Sequence, residues 1–377
     1  MPRGAVMSPK RVLTVADHLG SVGGTESAQL EIFRGLARRG WEVHLLYVSR
    51  GDYWPQWDAL AATTTKVGAS LPSRSSPVAG AAAVVRAAVV GARIRPSVIY
   101  VHSAGHVPLA LGTAAMARAP VVAHLHLPPP SRQPRWLNAS IRRVAEVIVP
   151  STDAARRWSA AAALDPKRTT VVPTGIDSER FVPLGASARA EVRSGIGVGS
   201  DERMILYAGR IEHNKGAHLL VEVARQSPTP IHAVVCGFTS DGDYLASLQS
   251  MMTEGKATYL GHRSDVAALM GAADLVVVPS SVPETQGLVI AEAMACGTPV
   301  VAFDVGGIAD SMRGFPDQLV PPDDPQQLAK AVERFVDWRR GDPELGRRSR
   351  AWAVENLSLD RSVQQLDDLI ANVSAGG

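Results

Sequence analysis

Two stretches of this chain carry residues suited to chemistry on a charged, hydroxyl-rich small molecule. The first is Gly209-Arg210-Ile211-Glu212-His213-Asn214-Lys215-Gly216, directly after an apolar run at 204–208. Arg210 and Lys215 stand five apart on a loop outside the carboxyl end of that run. A guanidinium and an ammonium converging on one point suit a diphosphate, although two solvated surface cations would leave the same trace. The second stretch runs from Pro283 to Ala302 and holds Glu284 and Glu292. Glu284 falls in a loop, Gly287-Leu288-Val289 opens the next helix, and Glu292 lies about one turn further on. One carboxylate ahead of a helix start and one on its inward face can both grip hydroxyls of an extended ligand. The free amides between them then meet its phosphates. Taken singly, Glu284 also reads as a carboxylate favoured by the helix dipole, and Glu292 as a charge on a solvated face. The neighbours Ala291, Ala293, Met294 and Ala295 make that face unusually apolar.

Other residues are weaker signals. Gly20-Ser21-Val22-Gly23-Gly24 joins a first strand to a helix and lets backbone amides approach an anion. An ordinary strand-to-helix turn needs the same glycines. The loop is neither GxGxxG nor a Walker loop, which argues against a nicotinamide oxidoreductase. Tyr53, Trp54 and Trp57 group their rings after the second strand, where they suit a sugar ring or an apolar acceptor, or anchor the loop. The segment 128–136 brings Arg132 and Arg135 beside Trp136, to receive an acidic acceptor or a membrane surface, or to lie in solvent. Asp241-Gly242-Asp243 imitates a metal-binding DxD but reads as a turn.

The elements that must position these residues follow a βαβ rhythm. Short apolar runs at 12–15, 43–48, 98–102, 121–124, 147–150 and 170–173 read as strands with helices between most of them. In 25–39, Ala28, Ile32, Phe33 and Leu36 form one helical face and Gly40 stops the helix. The segment 182–200 is rich in Gly, Pro and small residues and reads as a linker. The rhythm restarts with runs at 204–208, 231–236, 258–260, 275–278 and 299–302, and 347–373 is helical. The expected architecture is α/β, with two Rossmann-like domains, 1–183 and 184–355, facing across a cleft. A C-terminal helix, 356–377, packs back over the hinge towards the first domain.

Composition narrows the function. The 377 residues are 46% hydrophobic and 20% charged, as expected of a folded two-domain chain. Two cysteines, Cys236 and Cys296, cannot build a disulfide framework or a four-cysteine zinc site, and a reducing cytoplasm is the expected compartment. A net charge of +3 is too mild to argue for nucleic acid. The longest apolar stretch, 78–90, is interrupted by Arg86 and too short to span a membrane, and Asp17 and His18 interrupt any signal-like start. No basic amphipathic helix supports membrane docking.

The pattern from Glu284 to Glu292, with the Gly-Arg…Lys-Gly element before it, resembles the retaining GT-B glycosyltransferases of the large family numbered four. The likeness extends over nearly the whole chain. Gly23-Gly24-Thr25-Glu26 resembles that family's glycine loop, and Val172-Pro173-Thr174-Gly175-Ile176-Asp177 its hinge motif. Gly306-Gly307 to Asp310, and Leu319-Val320-Pro321-Pro322-Asp323-Asp324, resemble the later motifs. Thr174 stands where Asn is usual and Asp310 where Glu is common. The resemblance implies a retaining hexosyltransferase without metal or cofactor, taking a nucleoside-diphosphate sugar, UDP-sugar favoured. Arg210 and Lys215 would hold the diphosphate, with amides at Gly287, Leu288 and Val289 and with Gly23 and Gly24 of the first domain. Glu292 would take the ribose hydroxyls, Glu284 the sugar hydroxyls near the reacting carbon, and Arg263 would lie near the base. His126, with His124 its neighbour, would line the reacting centre. The acceptor would be a natural-product or aminocyclitol aglycone, an envelope lipid or a glycan. A GT-B epimerase, or a protein that only binds sugar nucleotides, is the competing reading.

Overall fold

The computed structural model describes residues 10–20, 24–68, 77–252 and 256–376. The chain divides into two compact units, Met1–Thr174 with Ser362–Gly377, and Gly175–Arg361.

The first unit is built on seven parallel strands: β1 Arg11–Leu19, β2 Glu42–Arg50, β3 Thr63–Lys66, β4 Val98–Val101, β5 Val121–His124, β6 Glu146–Val149 and β7 Thr169–Val171. Their order is β3-β2-β1-β4-β5-β6-β7. Every residue of β4, β5 and β6 is buried, as parallel strands covered on both faces require. β3 has the sequence TTTK and no apolar run, so alternation of hydrophobic residues does not reveal it. The helix Leu359–Ala375 buries Val363, Leu366 and Ile370. A side chain at Gly35 would meet Val363 Cγ2 at 2.6 Å, so that glycine lets the helix Gly24–Arg38 come close to the end of the chain. Trp41 Nε1 then donates to Asp367 Oδ1 at 2.7 Å, and Lys10 Nζ reaches the same oxygen at 3.3 Å.

The second unit holds six parallel strands: β8 Arg203–Ala208, β9 Ile231–Cys236, β10 Ala257–Tyr259, β11 Leu275–Val278, β12 Val300–Phe303 and β13 Leu319–Val320. Their order is β10-β9-β8-β11-β12-β13. The segment expected as a linker contains the helix Ala186–Gly195. A tertiary contact explains the difference. Arg193 Nη1 lies 3.0 Å from Oδ2 of buried Asp274, which also accepts from the Met204 amide at 2.9 Å, so the helix is tied to the start of β8. Asp241 caps the helix Gly242–Met251 by accepting from the Tyr244 amide at 2.9 Å. Cys236 and Cys296 are free and buried. Among the described residues, no helix is long and apolar enough to cross a membrane.

Candidate active site

In the second unit the strand order reverses between β8 and β11, and ligands of open α/β sheets bind beyond the carboxyl ends of the strands at such a point. The loops 209–216 and 279–287 leave those two strands. Gly216 has φ of 75°, and a Cβ there would stand 2.2 Å from the Pro279 carbonyl oxygen. Only glycine allows that backbone contact. The Asn214 carbonyl accepts from the Ser281 amide at 2.9 Å, which binds the two loops a second time.

These contacts deliver Lys215 to Glu284, with Nζ to Oε1 at 2.5 Å and side chains 13% and 23% exposed. Ser280 Oγ donates to the same carboxylate oxygen at 2.8 Å. The Glu284 backbone is held as well. Its carbonyl accepts from the Gly307 amide at 2.7 Å, and a Cβ on Gly306, whose φ is 63°, would lie 2.3 Å from it. Gly216→Ala is therefore expected to lower stability by at least about 1–2 kcal/mol from the left-handed backbone alone, and to release Lys215 from Glu284. Thermal melting together with ligand titration checks both effects.

The structure pairs the two expected cations with different carboxylates. Arg210 Nη1 lies 2.6 Å from Glu212 Oε1, and its side chain is 65% exposed. Its carbonyl accepts from the Tyr207 hydroxyl at 2.6 Å, which fixes the backbone but leaves the guanidinium at the surface. Arg263 is similarly engaged, with Nε 2.8 Å and Nη2 2.6 Å from the Asp265 carboxylate. Asp310 pairs with Arg313 at 3.0 Å.

Gly287, in the left-handed region with φ of 77°, opens the helix Leu288–Ala295. Its N-cap residue is a glycine, and among the described residues no side chain caps the helix, so its first amides are not taken by a capping group. Glu292 lies half-buried on it, among Ala291, Ala293, Met294 and Ala295, which are fully buried. Its carboxylate has no hydrogen-bond partner among the described residues. Burial pushes its pKa up to about 7, and only the Arg180 charge opposes the rise. The sequence reading missed Phe238, an exposed ring in the loop after β9. Its carbonyl accepts from the Ile211 amide at 2.8 Å, which sets it beside the Arg210 loop. An aromatic directly after a strand and a glycine was the available signal.

In the first unit, Gly23 lies outside the described residues, and Gly24 begins the helix Gly24–Arg38. Trp57 corrects an expectation. It is 2% exposed and packs on Phe33 with ring centroids 5.6 Å apart, so it belongs to the core and has no face for an acceptor. Tyr53 is half-buried, its amide bound to the Leu19 carbonyl at 2.9 Å. Trp54 packs against Tyr47 and lies 3.9 Å from the Arg50 guanidinium. Arg132 and Arg135 are exposed, next to an exposed Trp136. His126 is buried at the end of β5, with Nδ1 3.2 Å from Thr174 Oγ1, and burial lowers its pKa to about 4. His124 is deeper, and its Nδ1 lies 2.5 Å from the Tyr100 hydroxyl. A cavity of about 1100 Å³ lined by Phe315, Arg334, Asp337, Trp338 and Trp352 contains none of these residues, and two of its arginines are paired with lining carboxylates, Arg334 with Asp317 at 3.2 Å and Arg348 with Asp342 at 2.7 Å.

Two family models match the chain in succession. Glycosyltransferase Family 4 covers residues 22–180, and Glycosyl transferases group 1 covers residues 188–352. The chain belongs to the group 1 glycosyltransferases. Among its relatives, the D-inositol 3-phosphate glycosyltransferase of Mycobacterium tuberculosis is 36% identical over 200 residues, 50% of this chain and 40% of that protein. The match thus spans less than half of that relative's length. Anabaena HepE, solved in complex with UDP and glucose, aligns with a TM-score of 0.80 at 22% identity, covering 96% of this chain and 100% of that one. A glycosyltransferase from Rickettsia africae aligns with a TM-score of 0.84 at 17% identity over 97% and 99% of the two chains. These structural likenesses show the GT-B fold. In this group 1 glycosyltransferase, Lys215, Glu284 and the helix start at Gly287 thus gather at one switch point, while Arg210 and Arg263 point their charges to surface partners.

Proposed function

We propose that this chain is a retaining hexosyltransferase that moves a sugar from a nucleoside-diphosphate sugar, UDP-sugar foremost, to an acceptor hydroxyl. The observation that carries the reading is the Lys215–Glu284 pair at the β8–β11 switch point, beside the uncapped helix start at Gly287. A diphosphate docks on the amides of Leu288 and Val289, and Lys215 neutralises the charge that grows as it leaves. Arg210 exchanges Glu212 for a phosphate oxygen. These fixed protein charges do the work otherwise given to a divalent ion. Glu284 accepts hydroxyls of the sugar, Glu292 those of the ribose, and Phe238 stacks under the base with Arg263 nearby.

Retention proceeds by departure and attack on the same face of the sugar. The bond from the anomeric carbon to the leaving phosphate oxygen breaks, the acceptor oxygen bonds to that carbon, and the phosphate oxygen takes the acceptor proton. Neutral at pH 7, His126 orients the reacting hydroxyl. The named activity of the mycobacterial relative supports a small acidic polyol as one acceptor class, with Arg132 and Arg135 receiving its charge. Two free buried cysteines fit work in a reducing cytoplasm. The UDP and glucose bound by HepE support UDP-glucose as the first donor to try.

The test is transfer from UDP-glucose to a panel of polyol phosphates, lipids and glycans, with the linkage read by proton NMR. A product with the donor's anomeric configuration is expected. An inverted product contradicts retention. Conversion of the sugar nucleotide to an epimer without transfer supports the competing reading.

A further inference from the structure

Three histidines of the first unit meet beyond the carboxyl ends of β4 and β5. Val101 pairs with Ala123 in that sheet, so His102 leaves β4 level with His124, the last residue of β5. His126 follows two residues later, and its ring lies 3.8 Å from that of His124 and 5.6 Å from that of His102, centroid to centroid. All three are buried, and Phe33 packs edge-on against the His102 ring. One ring nitrogen from each lies within 4.8 Å of the other two, and among the described residues no other three His, Cys, Asp or Glu groups converge in this way.

We propose that His102, His124 and His126 form a binding site for one divalent transition-metal ion, with zinc the expected occupant. Two of the three imidazoles are already anchored in the way such a site needs. His124 Nδ1 is held by the Tyr100 hydroxyl at 2.5 Å and His126 Nδ1 by Thr174 Oγ1 at 3.2 Å. Anchoring one nitrogen by a hydroxyl or carbonyl while the other ligates is how proteins orient metal-binding imidazoles. His102 Nδ1 lies 3.4 Å from His126 Nε2, and two nitrogens at zinc distances of roughly 2.0–2.1 Å in a tetrahedral shell stand about as far apart. A hydrogen bond between those two rings accounts for that spacing alone. It leaves His124 Nε2, which is buried, without a hydrogen-bond partner among the described residues, and buried polar atoms are ordinarily paired. A metal would draw on that nitrogen directly. Three imidazoles without a carboxylate favour zinc, cobalt, nickel or copper over magnesium or calcium.

The ligands all belong to the first unit, and the test reads metal binding rather than transfer, so its outcome is independent of the role proposed for His126 above. The full chain, stripped with EDTA and desalted, is titrated with Co²⁺ while the visible absorption is followed. Zn²⁺ is then added in competition. One cobalt per chain is expected, displaced by zinc, and zinc is expected to raise the melting temperature. Both effects are expected to disappear in His124→Asn and in His102→Asn, and to persist in His213→Asn, which alters the stacked histidine pair His213–His218 of the second unit. Circular dichroism of each variant establishes that it is folded, and His102→Gln replaces any that is not. Absence of saturable cobalt binding by the wild type overturns the proposal, as does equal binding by the folded His124 and His102 variants.

Discussion

Replacing Lys215 with alanine is expected to lower kcat/KM by about 10²–10³, a loss of roughly 3–4 kcal/mol, in line with removal of one preorganised charge from a site where negative charge develops. Two consequences of the geometry add. On the proposed mechanism, the ammonium that would meet the departing diphosphate is gone. Glu284, 23% exposed, is left with Ser280 as its remaining side-chain partner, so an uncompensated carboxylate faces an incoming dianion. Lys215→Arg is expected to rescue little, because a planar fork does not fit the place of a compact ammonium 2.5 Å from Glu284. Arg210→Ala is expected to be milder. Its guanidinium is 65% exposed and pairs with Glu212 in solvent, where such pairs contribute about 0–1 kcal/mol. Steady-state kinetics on the three variants, with nucleotide affinity measured separately, orders them. A Lys215→Ala enzyme within threefold of wild type contradicts the role given to that residue.

Glu292→Gln is expected to weaken nucleotide binding by tenfold or more while raising the melting temperature at pH 8. A hydrogen bond to a charged group contributes about 1.5–3 kcal/mol, and among the described residues the half-buried Glu292 carboxylate has no hydrogen-bond partner of its own. The stability effect follows from its titration. The carboxyl moves from an ordinary value of 4.5 to about 7 on folding, so the folded state holds the proton more tightly. Stability from this group is fully present below pH 4.5 and is lost as the pH rises through 7. At pH 8 the wild type carries an ionised, poorly solvated carboxylate, which glutamine removes. At pH 5 the two proteins are expected to melt alike. Nucleotide affinity of the wild type is expected to fall as the pH drops below 7, because the protonated carboxyl accepts fewer hydrogen bonds from a ribose. Melting curves at the two pH values and binding isotherms across pH 5–8 check all three expectations. Identical melting and identical affinity would make Glu292 a bystander.

Much of the fold was legible because parallel strands covered on both faces must be continuous apolar runs. Val276 and Val277 in β11, or Val122 and Ala123 in β5, announce themselves in this way. The glycines were legible too, since Gly216, Gly287 and Gly306 occupy backbone conformations that other residues resist. What stayed hidden depends on partners far away in the chain. β3 is a polar strand whose pairing with β2 holds it in the sheet. The helix Ala186–Gly195 is tied through Arg193 to Asp274, 81 residues on. Trp57 has the composition of a binding residue, and only its packing on Phe33 shows it to be core. In the candidate site, the types and spacing of Lys215 and Glu284 were readable separately. Their pairing needed the Gly216–Pro279 contact between loops from two different strands. The histidine cluster was half visible in His124 and His126. His102 joins it through the β4–β5 register, which no local pattern carries.

The most direct measurement is titration calorimetry of the wild type and Lys215→Ala with UDP and with GDP, in the presence of EDTA. Saturable UDP binding by the wild type, weaker GDP binding, and loss of the UDP signal in a folded Lys215→Ala protein are the predicted results. Failure of the wild type to bind either nucleotide, or undiminished binding by the variant, would contradict a donor site built on Lys215 and Glu284.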